Sequence, residues 1–303
     1  MDSAAKCPPP APVDLDGSLE PSLPALSPAQ KRFFVDNGYV VIRGVVPLDT
    51  IDAVRRAVNS RLGELLAEGS WTPNHNFPRV GKTDACFALV KNPSTMHVLE
   101  EFLGAGCVAM PPQGCVKLVF PRTSPAPASG TMPNDYWHVD GAGNAALADA
   151  GYTIEMGRRN RSRVGGQVGA FSLLAGVVLH DLVPPFVGSF TVWPGAHEAV
   201  HAVLRSSGVE GFCAKRPDLS AVTSPVELPI RRGDLILAHP LLPHAAAFNH
   251  SPDVRYAVYF RLRHACHEAL RDEMLEEDMW CEMHGIDVET IRKSSKASSP
   301  IKV

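Results

Sequence analysis

Between residues 115 and 262 the chain breaks into six short β-rich runs, and this punctuation restricts its fold more than any other feature. The runs are 115–120 (CVKLVF), 136–140 (YWHVD), 170–180 (AFSLLAGVVLH), 189–193 (SFTVW), 234–238 (DLILA) and 254–262 (VRYAVYFRL). Several are separated by turn formers: Pro121, Gly141, Pro184-Pro185, Pro194-Gly195 and Gly233. Proline cannot donate to a strand ladder and glycine tolerates turn geometry, so many short strands divided this way imply an antiparallel sandwich or barrel.

The preceding segment carries a different period. Ser27-Pro28-Ala29-Gln30 combines a cap, a first-turn proline and a glutamine three residues on, which predicts a helix ending at Gly38. Tyr39 to Arg43 reads as a strand. Ile51, Val54, Val58, Leu62 and Leu65 recur at helical spacing through about residue 67, and a further helix is predicted over 93–103, closed by Gly104. A last helix is expected over 266–284, carrying Leu270, Met274, Leu275 and Met279. The fold class is therefore α+β, with flanking helices around a jelly-roll core. Residues 1–26, rich in Pro, Ala, Ser and Asp, are expected to be a disordered tail, and 293–303 a loose one.

Composition fits a soluble globular chain, with 45% hydrophobic and 20% charged residues among 303. The net charge of −3 argues against general affinity for nucleic acid or an anionic membrane surface. Seven scattered cysteines with no CxxC spacing favour a reducing compartment. No apolar stretch approaches the roughly 20 residues that span a bilayer, and the opening MDSAAKCPPPAPVDLDG resembles no targeting signal, so a cytoplasmic location is expected.

The chemistry concentrates in two places. In His138-Val139-Asp140 the imidazole and carboxylate share one face if the segment is extended. With 12 His and 32 acidic residues, about one His-x-acid triplet is expected by chance, so the motif alone is weak. Support comes from GDLILAHPLLPHAAAFNHSPDVRYAVYFR, where His244 follows an apolar strand and Arg255 lies eleven residues beyond it. Two histidines and one carboxylate on one face of a metal, with adjacent positions open, suit non-heme iron(II) oxygenases. An arginine provides a permanent planar fork for a carboxylate-bearing co-substrate.

These segments resemble the phytanoyl-CoA dioxygenase-like family of iron(II)/2-oxoglutarate-dependent oxygenases. LSPAQKRFFVDNGYVVIRGVV is similar to its opening helix and strand, and YWHVDGAG to its His-x-Asp segment. GSFTVWPGAHEAVH and AHPLLPHAAAFNHSPDVRYAV are similar to its Pro-Gly turn and its distal His and Arg. The resemblance runs from about residue 27 to 264. It implies a double-stranded β-helix within a 27–292 oxygenase domain, with His138, Asp140 and His244 as iron ligands. Arg255 would bind the distal carboxylate of 2-oxoglutarate. Implied with it are a small-molecule substrate, oxidised with release of succinate and carbon dioxide, and ascorbate as a reductant. The chain departs from the family pattern at Val139, often Gln, and at Ala246, often a small hydroxyl residue.

Other readings compete. His239 and His250 are rivals of His244 as third ligand; His239 otherwise reads as a packed histidine. His197 reads as a turn cap, His201 as a surface residue, and Asp234 as a partner of backbone amides. Lys117 either faces solvent or reaches the co-substrate. Arg158, Arg159, Arg161 and Arg163 in the insertion 141–166 form either a solvated loop or a lid over an anionic substrate. At the level of function the alternatives are a cupin-like metal enzyme that does not use 2-oxoglutarate and a non-catalytic binding module.

Overall fold

In a computed structural model, residues 25–70, 77–142 and 168–297 are described. The first helix, α1 (Pro28–Asn37), forms where its cap requires it. Ser27 Oγ accepts the Gln30 amide at 3.2 Å and the Gln30 side chain accepts the Ser27 amide at 2.9 Å. It stops at Gly38, which has φ +77°; a Cβ there would sit 2.6 Å from His197 Nδ1. Glycine is required at that point both by the left-handed backbone and by the close approach. Strand β1 (Tyr39–Ile42) follows, then α2 (Leu48–Ala67), burying Ile51, Val54, Val58 and Leu65 as the spacing predicts. Helices α3 (Pro78–Gly81), α4 (Asp84–Lys91) and α5 (Pro93–Leu103) complete the flank.

The strands are β2 (Val108–Ala109), β3 (Cys115–Val119), β4 (Leu173–Val178), β5 (Phe190–Val192), β6 (Val226–Glu227), β7 (Leu235–Ala238), β8 (His244–Ala246) and β9 (Arg255–His264). The large antiparallel sheet runs β1-β7-β4-β9, and β9 then pairs with β3 along its first half and with β2 at its end. The small sheet runs β6-β5-β8. Alternation along the strands sorts two cores. Leu173, Ala175, Val177, Val258, Phe260 and Leu262 face the helices with Phe34, Phe102 and Trp280. Leu174, Val178, Ile236, Ala238 and Ala257 face Phe190 and Val192 of the small sheet. Because residues two apart share a face, Arg255, Tyr259 and Arg261 point the same way as Ala257, into the space between the sheets.

Several elements differ from expectation. Residues 136–140 are not a full strand: only His138 bridges to a neighbour, and Tyr136–Pro133 and Ala142–Val139 turns bend the chain on either side. The segment after Pro194-Gly195 is a long helix, α6 (Ala196–Ala214), interrupted at Gly208, and it buries His197, Val200, His201 and Leu204 at helical spacing. His201, expected at the surface, is only 7% exposed because it lies on that inner stripe. The predicted 266–284 helix is α7 (His267–Glu276) followed by a chain of i-to-i+3 turns, which press Met279, Trp280, Met283 and Ile286 into the core. A last helix, α8 (Val288–Ala297), extends past 292, where the sequence places a loose tail, and Leu26 at the other end is buried with its amide on Glu101. No described helix is long and apolar enough to cross a membrane.

Candidate metal and co-substrate site

The pairing of His138 with His244 builds the site. Each donates its amide to the other's carbonyl, at 3.0 and 2.9 Å, so one antiparallel bridge joins segments far apart in sequence. His244 is in turn paired with Val192 on β5. The rings lie 4.4 Å apart between centroids. Val139 points the other way, into the main core with no exposure, which returns Asp140 to the face of His138. His138 Nε2 is 3.8 Å from Asp140 Oδ1, and one ligand atom from each of His138, Asp140 and His244 falls within 4.8 Å of the others.

The protonation states suit a cation. Burial pushes the His138 imidazole down to about 3, assisted by His244, and burial also lowers His244. Burial raises the Asp140 carboxyl, but the Arg261 guanidinium outweighs it and holds Asp140 below the usual carboxylate range. Two neutral imidazoles and a carboxylate need release no proton near neutrality to accept a divalent metal. His244 Nδ1 lies 2.9 Å from the Leu242 carbonyl; donating there fixes the tautomer that leaves the Nε2 lone pair free for a ligand.

Arg261 is the residue that sequence reasoning missed. Its Nε and Nη2 donate to Asp140 Oδ2 and Oδ1 at 2.9 and 2.8 Å, a two-point grip on the carboxylate. The signal was present: Arg261 lies six residues after Arg255 on one strand, an even offset that puts both on the inner face. Arg255 is 2% exposed, donates from Nε to the Gly188 carbonyl at 2.7 Å and from Nη1 to the Lys117 carbonyl at 3.5 Å, and stands 6.0 Å from the Tyr259 ring centroid. Gly188 has φ +73°, and a Cβ there would come 3.1 Å from Arg255 Cβ, so glycine lets the chain close over the arginine. Among the described residues no carboxylate bonds to Arg255.

A cavity of about 200 Å³ joins these groups: His138, Asp140, His244, Arg255, Arg261 and Lys117 all line it. Lys117 is exposed on β3 yet reaches this wall, and Ala246 also borders it. Two guanidinium groups and one lysine face one carboxylate there, an excess that favours an anionic occupant.

The rival ligands lie elsewhere. His239 is packed, with Nδ1 accepting the Leu241 amide at 3.2 Å and Nε2 against the Met279 carbonyl at 2.9 Å. His250 lies against Phe186 and Phe248. His197 Nε2 meets the Val35 carbonyl at 3.2 Å, tying α6 to α1 rather than capping its own turn. Asp234 accepts the Gly44 and Arg231 amides, as a turn aspartate should. A second cluster, Cys107, His264 and His284, also comes within 4.8 Å. There His264 Nδ1 takes the Cys266 amide at 3.0 Å, which leaves the ring proton on Nε2 and no lone pair for a metal on that atom. Arg158, Arg159, Arg161 and Arg163 lie outside the described residues.

Known proteins resemble this chain as follows. A family model described as phytanoyl-CoA dioxygenase matches residues 34–257. Among solved structures, EvdMO1 has a TM-score of 0.49 at 18% identity, covering 78% of this chain and 49% of that one, so the chain spans about half the length of EvdMO1. HygX from Streptomyces hygroscopicus, solved with nickel and 2-oxoglutarate bound, gives 0.48 at 18%, covering 78% and 86%. EctD from S. alaskensis, solved with bound Fe, gives 0.49 at 16%, covering 79% and 77%. No curated protein matches the chain. With nearly three quarters of its length matched by the family model, the chain belongs to the phytanoyl-CoA dioxygenase family of oxidoreductases.

Proposed function

We propose that the protein is an iron(II)- and 2-oxoglutarate-dependent oxygenase that hydroxylates a small organic substrate. The balance is substrate C–H, dioxygen and 2-oxoglutarate giving substrate C–OH, succinate and carbon dioxide. His138, Asp140 and His244 hold the metal, and Arg255 holds the far carboxylate of 2-oxoglutarate. When bound, iron(II) together with 2-oxoglutarate supplies the activation of dioxygen. The chain's own groups bind and orient: His244 presents Nε2 because Nδ1 is engaged by Leu242, and Arg261 keeps Asp140 ionised and aimed. Phe190 and Leu174 wall the cavity and limit water.

One observation carries this reading. A guanidinium buried to 2% exposure, with backbone carbonyls and the Tyr259 side chain as partners and no carboxylate on it among the described residues, shares a cavity with a His-Asp-His cluster. A buried charge without a counter-ion is costly, and a dicarboxylate spanning from the cluster to Arg255 would remove that cost. The test is succinate formation from 2-oxoglutarate under air with iron(II), together with calorimetric titration of 2-oxoglutarate into Mn(II)-loaded protein. Saturable binding that H244A abolishes is expected; turnover that survives in H244A would defeat the proposal.

A further inference from the structure

A second cavity, about 230 Å³, adjoins the first and shares Tyr259 and Arg261 with it. Its other walls include Arg263, Met110, Pro111 and Pro112, and among the described residues no acidic side chain lines it. The stripe Arg255, Tyr259, Arg261, Arg263 follows from strand alternation, so one face of β9 carries cations from the first cavity through into the second. The tasks of the first two arginines are set by their surroundings: Arg255 faces the co-substrate space and Arg261 grips Asp140. Arg263 has no such task. It donates from Nε to the Ala170 carbonyl at 2.9 Å and from Nη1 to Glu268 at 2.7 Å. The Glu268 side chain is 81% exposed, and an ion pair so open to water contributes little and is readily exchanged.

We infer that this second cavity binds the primary substrate, and that the substrate is a small carboxylic acid with a short apolar body. Its carboxylate is read by Arg263 and its alkyl part lies along Met110, Pro111 and Pro112. The carbon to be oxidised passes Tyr259 and Arg261 to reach the His-Asp-His cluster. The inference rests on the oxygenase reading above. Charge favours an anion, because Arg261 is held by the buried Asp140 while Arg263 is paired only with the water-exposed Glu268, which an anionic ligand can replace. Size favours a small anchored part: the cavity, about 230 Å³, falls below the roughly 300–1,000 Å³ of pockets for drug-sized ligands. Adjacent strand residues of like face are about 7 Å apart, so the anion is anchored roughly one pleat beyond the arginine that holds Asp140.

The test uses Zn(II)-loaded protein saturated with 2-oxoglutarate, so that Arg255 is occupied. Straight-chain acids from butanoate to octanoate and their primary amides are titrated in, with binding read by saturation-transfer NMR. The acids are expected to bind at least tenfold more tightly than their amides, R263Q to remove that preference, and M110W to weaken both by filling the cavity. Arg263 is 43% exposed in its side chain, so R263Q should fold, which 2-oxoglutarate binding by the variant verifies. Equal binding of acids and amides, or acid binding unchanged in R263Q while 2-oxoglutarate still binds, overturns this inference and leaves the oxygenase reading standing. Absence of 2-oxoglutarate binding in the wild type overturns both.

Discussion

Two pairs of histidines separate a site from packing: His197, His239 and His244 are buried, whereas His138 keeps 30% of its side chain exposed. His138 and His244 lie 4.4 Å apart between the sheets; His197 and His239 lie 5.6 Å apart between the large sheet and the helices. All four imidazoles are pushed down, chiefly by burial, to about 3 for His138 and His239 and about 4 for His197. A depressed histidine is therefore no mark of a site here. The difference lies in what faces the nitrogens. His239 has backbone groups on both, His197 bonds a carbonyl through Nε2, and Trp280 packs against both rings. His138 and His244 face a carboxylate and an open cavity with an excess of cations. The first pair fastens elements together; the second is arranged to receive something.

This contrast can be broken at graded strength. The largest effect is expected from H138A or H244A. Either should abolish metal-supported 2-oxoglutarate consumption, exceeding the roughly 10- to 100-fold loss typical of removing a partner behind a ligand. H239Q should bind metal like the wild type, and a loss of affinity there would erase the distinction between the pairs. Next, R255Q should raise the Kd for 2-oxoglutarate about 10- to 100-fold, the value of hydrogen bonds to a charged group, while Mn(II) affinity stays unchanged in a titration. R261Q should show the opposite split, with Mn(II) affinity falling about 10- to 100-fold because Asp140 loses its grip, and residual 2-oxoglutarate affinity of the loaded protein changing less.

The smallest effect is on stability. His197 and His239 titrate lower in the folded protein than their ordinary value, so the unfolded chain binds more protons between pH 6.5 and about 4. Stability should then be complete above pH 6.5 and fall as pH drops, approaching about 1.4 kcal/mol per pH unit for each histidine. Urea midpoints of the metal-free protein across that window, with a shallower slope in H239Q, would sharpen the comparison; a flat profile would remove it.

Much of this was legible beforehand because it depends on local rules. The Ser27–Gln30 capping box, the stop at Gly38 and the inner stripe of α2 all follow from neighbouring residues. The helix α6 was legible too, in the helical spacing of His197, Val200, His201 and Leu204 behind the turn residues Pro194-Gly195. The break in 266–284 was not, since α7 ends where the chain must turn to bury Trp280 and Met283, and no local residue dictates it.

The sequence by itself determined which residue types could meet a metal and a dicarboxylate, and that many short strands would hold them, because propensity, alternation and side-chain chemistry act within a few residues. Only the tertiary structure decided that His138 pairs with His244, that Arg261 grips Asp140, and that a second cation-lined cavity opens beside the first. Those depend on which strands lie side by side, and that register is set by the packing of the two cores rather than by any single segment.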